Sequence, residues 1–310
     1  MLSGNEYLDS VRNGRNEFWR YLLVNLAMIF TSLVLTVVLL IAAFVLNGRI
    51  TFDLASLSQT SVFLVTMLPF PAALCILWIG QRWIHNRPIL QLVNPFDRVR
   101  WRMLLLSAAV WFGLAIVSDL VLSQLQPGNY VWTFEFKKFL PFLLLSLLLV
   151  PLQTATEEFI FRGYLAQGLS LLNAGIWPSL IIPALVFGLL HGFNPEVGTY
   201  GMLLTLPFYI AFGFLAGWLT LRSRGLELSL GMHMANNLYA SLIVTFPSSA
   251  VASPTLFNIQ NYNANLSLIV FGLSALAYLV ILSPMLKRMP PLVVKIAPPG
   301  SLEQAPDKEI

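Results

Sequence analysis

Charge is scarce in this sequence. Lys, Arg, Asp and Glu together make 10% of its 310 residues, where an ordinary soluble domain carries about 25%. Cysteine is almost absent, with Cys75 the only one, so neither a disulfide framework nor a multi-cysteine metal site can be built. The low charge excludes a disordered chain, because disorder requires polar, charge-rich composition. It also excludes a water-soluble globule. With 57% hydrophobic residues and a mean hydropathy of +0.76, the chain has too little polar surface to cover itself. The net charge of +4 is not a nucleic-acid footprint, since the basic residues fall between hydrophobic runs. No nucleic-acid partner is expected. What remains is a multi-spanning protein whose partner is the lipid bilayer.

A helix needs about 20 apolar residues to cross a bilayer, and eight runs qualify as candidates: Tyr21–Leu46, Ser61–Gly80, Met103–Leu125, Phe139–Glu157, Ile176–Phe193, Tyr200–Leu221, Leu228–Phe246 and Ala264–Leu286. The first is too long for a signal-peptide core and reads as a retained helix. Pro69 and Pro71 predict a kink in the second. Gly213 and Gly217 form a GxxxG pair, which predicts close helix packing. The expected fold is all-α and polytopic. A cytoplasmic segment, 1–20, precedes a transmembrane domain over 21–289, and a disordered tail follows over 290–310. With the N-terminus in the cytoplasm, fifteen of the eighteen Lys and Arg residues fall on the inner side, leaving Arg49, Lys137 and Lys138 outside. Both termini are then cytoplasmic, in a membrane of the bacterial plasma-membrane type. His85 lies in the basic loop from Gln81 to Arg102, where it reads as a solvated surface residue beside anionic lipid headgroups. Asp119 and Glu196 are expected near the outer boundary, Glu227 near the inner one.

Ionisable residues within spans are costly and usually functional. Glu157, Glu158, Arg162, His191, His233 and Asn237 are such residues. Neighbouring positions on a helix diverge by about 100°, so Glu157 and Glu158 are expected to serve different points. Glu158 and Arg162 are spaced i, i+4 with the acid first, the favourable order for an ion pair. That leaves Glu157 without a local cation and available as a general base. His233 and Asn237, also i, i+4, lie on one helix face and can both donate to one oxygen, as an oxyanion site requires. His191 is placed to share a water with Glu157. This inventory suits hydrolysis of an amide by activated water.

The stretch Glu157-Glu158-Phe159-Ile160-Phe161-Arg162 resembles the EExxxR signature of the CAAX protease and bacteriocin-processing (CPBP) family, which includes type II CAAX prenyl endopeptidases. Phe187 and His191 are similar to its FxxxH motif, and His233 with Asn237 to its HxxxN motif. Together they cover about a quarter of the chain, within a core of about 139–246. The resemblance implies an eight-helix intramembrane endopeptidase acting on a membrane-anchored peptide or protein. It implies that Glu157 and His191 activate water, that His233 and Asn237 stabilise the oxyanion, and that Glu158 and Arg162 support them. It does not carry prenylated CaaX specificity to this chain.

Three other readings stand beside it. Glu157, His191 and His233 form a two-histidine, one-carboxylate set that zinc could occupy, although no HExxH is present. The same groups could relay protons in a transporter, but no internal repeat supports that. A non-catalytic immunity or scaffold protein would not need every motif position filled, as they are here. The expected enzyme uses no cofactor. One difficulty is depth: counted from the inner ends of straight helices, His191 and His233 lie about 15 Å apart. Gly192, Asn194 and Pro195 suggest that the fifth helix ends near its histidine and that short helices form the site.

Overall fold

The computed structural model describes residues 3–46, 57–96, 98–250 and 253–292. Eight principal helices follow the eight apolar runs in order: α1 (Phe18–Leu46), α2 (Gln59–Ile84), α3 (Trp101–Leu125), α4 (Phe136–Ser170), α5 (Trp177–Leu190), α6 (Met202–Ser223), α7 (Glu227–Leu242) and α8 (Ala264–Lys287). Six are long and apolar enough to cross a membrane. The chain is an all-α, polytopic integral membrane protein. The other two, α5 and α7, have 14 and 16 residues, or about 21 and 24 Å at 1.5 Å per residue. Of the eight expected spans, six are therefore helices of crossing length and two are short. Of the two, α7 carries His233, and α5 ends immediately before His191. Arg49 and most of the expected tail, 293–310, lie outside the described residues.

Local sequence explains the breaks. In α2 the helix stops at Met67 and restarts at Pro69, as predicted, because proline lacks the N–H that would continue the ladder but suits a first helical position. In α4 a π-helical stretch, Phe159–Leu165, interrupts the ladder directly after Glu158, the kind of defect often found at functional sites. There Gly163 lies so close to Leu92 that an added Cβ would sit 3.2 Å from that side chain. Beyond Leu190, α5 tightens into a 3₁₀ turn, His191–Phe193, before Pro195 opens a short helix to Tyr200.

At the centre of the bundle, α7 packs on α3, α4 and α6, while α6 rests on α5 and α1 on α2. Small residues set the separations, since helices in lipid associate through close backbone approach. The GxxxG pair lies against α5: a Cβ on Gly213 would come 3.1 Å from Ala184 Cα, and one on Gly217 2.9 Å from Leu180 Cδ1. Gly231 is tighter still, with Leu104 O 2.2 Å from the position of a Cβ. Gly231→Ala is therefore expected to force α7 off α3. It should lower unfolding stability in detergent by about 1–3 kcal/mol. Gly272→Ala, with nothing within 4 Å, is the control that should leave thermal unfolding unchanged. The outer faces stay apolar and exposed, as at Phe30, Leu33 and Ile41 of α1 or Leu273 and Val280 of α8, which suits lipid contact.

The two ends of the bundle differ. One end is gathered by charge and amide contacts: Arg224 pairs with Glu6 at 2.7 Å, Arg100 with Glu227 at 2.6 Å, and Asn5 Nδ2 donates to Leu221 O and Leu292 O. The other end carries a small sheet of β1 (Tyr130–Trp132), β2 (Val244–Thr245) and β3 (Phe257–Ile259) in the order β1-β3-β2. There β3 pairs antiparallel with β1 and parallel with β2. Asp119, near the C-terminal end of α3, accepts from Tyr130 and Tyr239, both at 2.7 Å. We refer to these as the basic end and the sheet end.

One expectation at the basic end is overturned. His85 is not a solvated surface histidine: it is fully buried. Its Nδ1 lies 2.7 Å from Arg15 O and its Nε2 2.7 Å from Tyr164 Oη, because the N-terminal segment folds back over the end of α2. Nor is the whole loop laid against lipid headgroups. Arg87 is buried and donates to Gln91 and Gln167. Burial holds the His85 imidazole below the usual histidine range, with Arg87 and Arg20 acting in the same direction and the Arg15 carbonyl and Glu17 opposing. The folded state thus prefers neutral His85. Its contribution to stability is present above the unfolded histidine range and is lost as pH falls through that range toward the lower folded value. Thermal unfolding of His85→Gln is expected to show a weaker loss of stability between about pH 7 and pH 5 than the parent chain.

Candidate active site

The six motif residues converge. Glu157 and Glu158 end the α-helical part of α4, and Arg162 lies in the π-helical turn that follows. Arg162 Nη1 donates to Glu158 Oε1 at 2.9 Å, with both side chains buried. The i, i+4 pair predicted from sequence is present, and Arg162 also lies over the Phe187 ring, 4.4 Å from its centroid.

Glu158 does more than hold Arg162. The same Oε1 accepts from His233 Nδ1 at 2.8 Å, so the carboxylate fixes the ring's orientation and keeps a proton on Nδ1. The opposite ring nitrogen, Nε2, lies 3.4 Å from Glu157 Oε2. The two acids therefore meet different nitrogens of one ring. Their side chains do diverge, but an imidazole has nitrogens on opposite edges, and His233 from α7 enters between the carboxylates. Glu157 Oε2 and Glu158 Oε2 are buried without a hydrogen-bond partner.

A chain of amides orients Asn237. Trp111 Nε1 donates to Asn236 Oδ1 at 3.2 Å, and Asn236 Nδ2 donates to Asn237 Oδ1 at 3.0 Å. With its oxygen so engaged, Asn237 turns its Nδ2 toward Gln153 Oε1 at 3.0 Å and His233 Nε2 at 3.4 Å. One of its two N–H bonds is thereby committed to Gln153, leaving the other for the cavity or His233.

His191, at the end of α5, bonds Phe187 O through Nδ1 at 2.7 Å, leaving Nε2 as the acceptor. Its ring is sandwiched by Phe187 and Tyr209, each with its centroid 4.3 Å away. The Tyr209 hydroxyl in turn donates to Glu196. The depth difficulty is resolved as α5's early end suggested: His191 and His233 line one cavity, of about 310 Å³, together with Glu157, Gln153, Glu196 and Asn237.

Five of these neighbours were not singled out from sequence as site residues: Gln153, Trp111, Asn236, Tyr209 and Glu196. Gln153 carried a signal, since it is a polar residue one helical turn before Glu157 in an otherwise apolar run. Asn236 adjoins the motif Asn237. Trp111 and Tyr209 gave none, because aromatic residues abound in spans. Glu196, expected near the outer boundary, is 6% exposed in the cavity wall. Among the described residues, no three His, Cys, Asp or Glu side chains are grouped as metal ligands.

A buried carboxylate–imidazole–carboxylate set beside a fixed carboxamide thus lies inside the helical bundle of a polytopic membrane protein. Comparison with known proteins gives the family. The profile of the type II CAAX prenyl endopeptidase Rce1-like family matches residues 136–239, from the start of α4 to Tyr239 in α7, and so includes every motif residue. A Bacillus subtilis (strain 168) protein, the uncharacterized protein YyaK, is 31% identical over 259 residues, covering 81% of this chain and 86% of its own. The chain belongs to the Rce1-like family of CAAX-type membrane proteases. No solved structure matches it.

Proposed function

We propose that the protein is an intramembrane endopeptidase that hydrolyses a peptide bond of a membrane-associated substrate through water activated by Glu157 and His191. The observation that carries this reading is the clasp on His233, with Glu158 on Nδ1 at 2.8 Å and Glu157 3.4 Å from Nε2. It sits in a cavity that also admits His191 and Asn237.

The geometry supports these roles. Glu157 and His191 line the cavity without a hydrogen bond between them, so both can face one water held in the cavity. Glu157 takes a proton from that water as its oxygen attacks the scissile carbonyl carbon. The C=O π electrons move onto oxygen, and the Asn237 N–H and a protonated His233 Nε2 offer donors to the resulting oxyanion. With Nδ1–H held on Glu158, a second proton on Nε2 makes His233 an imidazolium, whose charge the buried carboxylate offsets. Collapse of the tetrahedral species breaks the C–N bond, and the proton held by Glu157 passes to the leaving amine. The Glu158–Arg162 pair fixes His233 rather than touching substrate.

The reaction proposed here needs no cofactor. Both histidines have Nδ1 engaged, His233 by Glu158 and His191 by Phe187 O, and Nε2 left open. The zinc alternative would have to recruit Glu157, His191 and His233 from this arrangement. If the oxyanion role is right, Asn237→Ala should lower kcat about 10²–10³-fold with KM little changed, measured on a cleaved peptide. A change confined to KM would place Asn237 in substrate binding instead.

A further inference from the structure

The cavity has a direction. Its wall is built from the sheet-end halves of α2, α6 and α8, at Met67, Thr205 and Ser267, and from the connection between α7 and α8 at Phe246, Ser249 and Tyr262. No residue of the basic end lines it. That end is closed instead: Tyr7 donates to Leu92 O and Arg162 O, and Gln167 joins Arg87 to Tyr7 O, all in buried positions directly beneath the Glu158–Arg162 pair. A peptide reaching Glu157 must therefore come from the sheet end, or sideways through the sheet-end half of the bundle.

Charge identifies which side that is. Apart from Lys137 and Lys138, and the site residue Arg162, the Lys and Arg side chains of the described chain belong to segments at the basic end. Basic connections of this length stay in the cytoplasm. We propose that the cavity is entered from the non-cytoplasmic side and that its substrate is a membrane-anchored segment of an exported polypeptide, not a prenylated cytoplasmic tail. The proposal rests on the peptidase reading above. The lining chemistry agrees with it. A CaaX-type tail ends in a carboxylate three residues beyond the scissile bond. This cavity offers no Lys or Arg to receive it and instead presents Glu157 and Glu196. Glu196 has one buried oxygen without a partner, which repels an anion and suits a cation or a hydrogen-bond donor.

The test uses two readouts, so that the entrance and the chemistry can fail separately. In a Cys75→Ser background, Ser248→Cys, exposed and next to the cavity-lining Ser249, reports the sheet end, and Leu172→Cys, at a position 66% exposed, reports the basic end. With a membrane-impermeant maleimide on intact cells, Ser248→Cys is expected to label fully. Leu172→Cys should label only after permeabilisation. The reverse pattern would overturn the proposal whatever the activity. Right-side-out vesicles then receive two quenched probes from outside: a peptide with an N-terminal transmembrane anchor, and a farnesylated CaaX peptide. The anchored peptide should be cleaved at least about tenfold faster, and not by Glu157→Gln. Preferential cleavage of the farnesylated probe, above all from the basic face of inverted vesicles, would overturn the substrate class. Cleavage of neither probe from either face would count against the peptidase reading, while the labelling would still decide the entrance.

Discussion

Glu157→Gln is expected to lower peptide cleavage about 10²–10⁴-fold, the usual contribution of a general base, without unfolding the protein. Two features make the effect so selective. Glu157 lines the cavity, and its contact with His233, at 3.4 Å, is too long for a strong hydrogen bond. An amide of the same shape therefore costs little stability, yet it cannot take a proton from water. The measurement is initial cleavage rate beside thermal unfolding in the same detergent. A fall in rate with an equal fall in unfolding temperature would point to a structural role. Full activity would remove Glu157 as the base.

Glu158→Ala should be damaging in a different way. It leaves Arg162, 1% exposed, as an uncompensated buried cation. Breaking such a pair from one side costs about 3–5 kcal/mol. It also removes the acceptor that orients His233, so activity should vanish together with stability. The double variant Glu158→Ala/Arg162→Leu separates the two consequences. Replacing both charges with apolar groups is often nearly neutral, so thermal stability should largely recover, while cleavage should not, because His233 remains without its anchor. A double variant that regained cleavage would show that Glu158 acts only through Arg162. The non-additive part of the cycle measures the pair itself.

The sequence made the site's membership legible but not its wiring. Glu157, Glu158, Arg162, His191, His233 and Asn237 were identifiable because ionisable and amide groups inside apolar runs are rare enough to stand out. The Glu158–Arg162 bond followed from spacing alone, and the break at Pro69 from proline's missing donor. The clasp on His233 did not follow, because it depends on where α7 inserts between two diverging side chains of α4, a tertiary fact that helical spacing does not encode. Span length was misjudged at α5 and α7, where apolar composition continued past the helix ends into a 3₁₀ turn and a strand. His85 was misread for a related reason. Its neighbours in sequence are basic, but its neighbours in space are Arg15, Tyr21 and Tyr164, brought there by the folded N-terminal segment.

The most direct test of the central claim is cleavage of membrane-anchored leader and prenylated CaaX peptides by the purified protein, with and without exhaustive chelation, beside Glu157→Gln. Cleavage is expected to survive chelation and to be lost in the variant. Cleavage abolished by chelation and restored by zinc would contradict that claim, and would turn Glu157, His191 and His233 from acid–base and oxyanion groups into metal ligands.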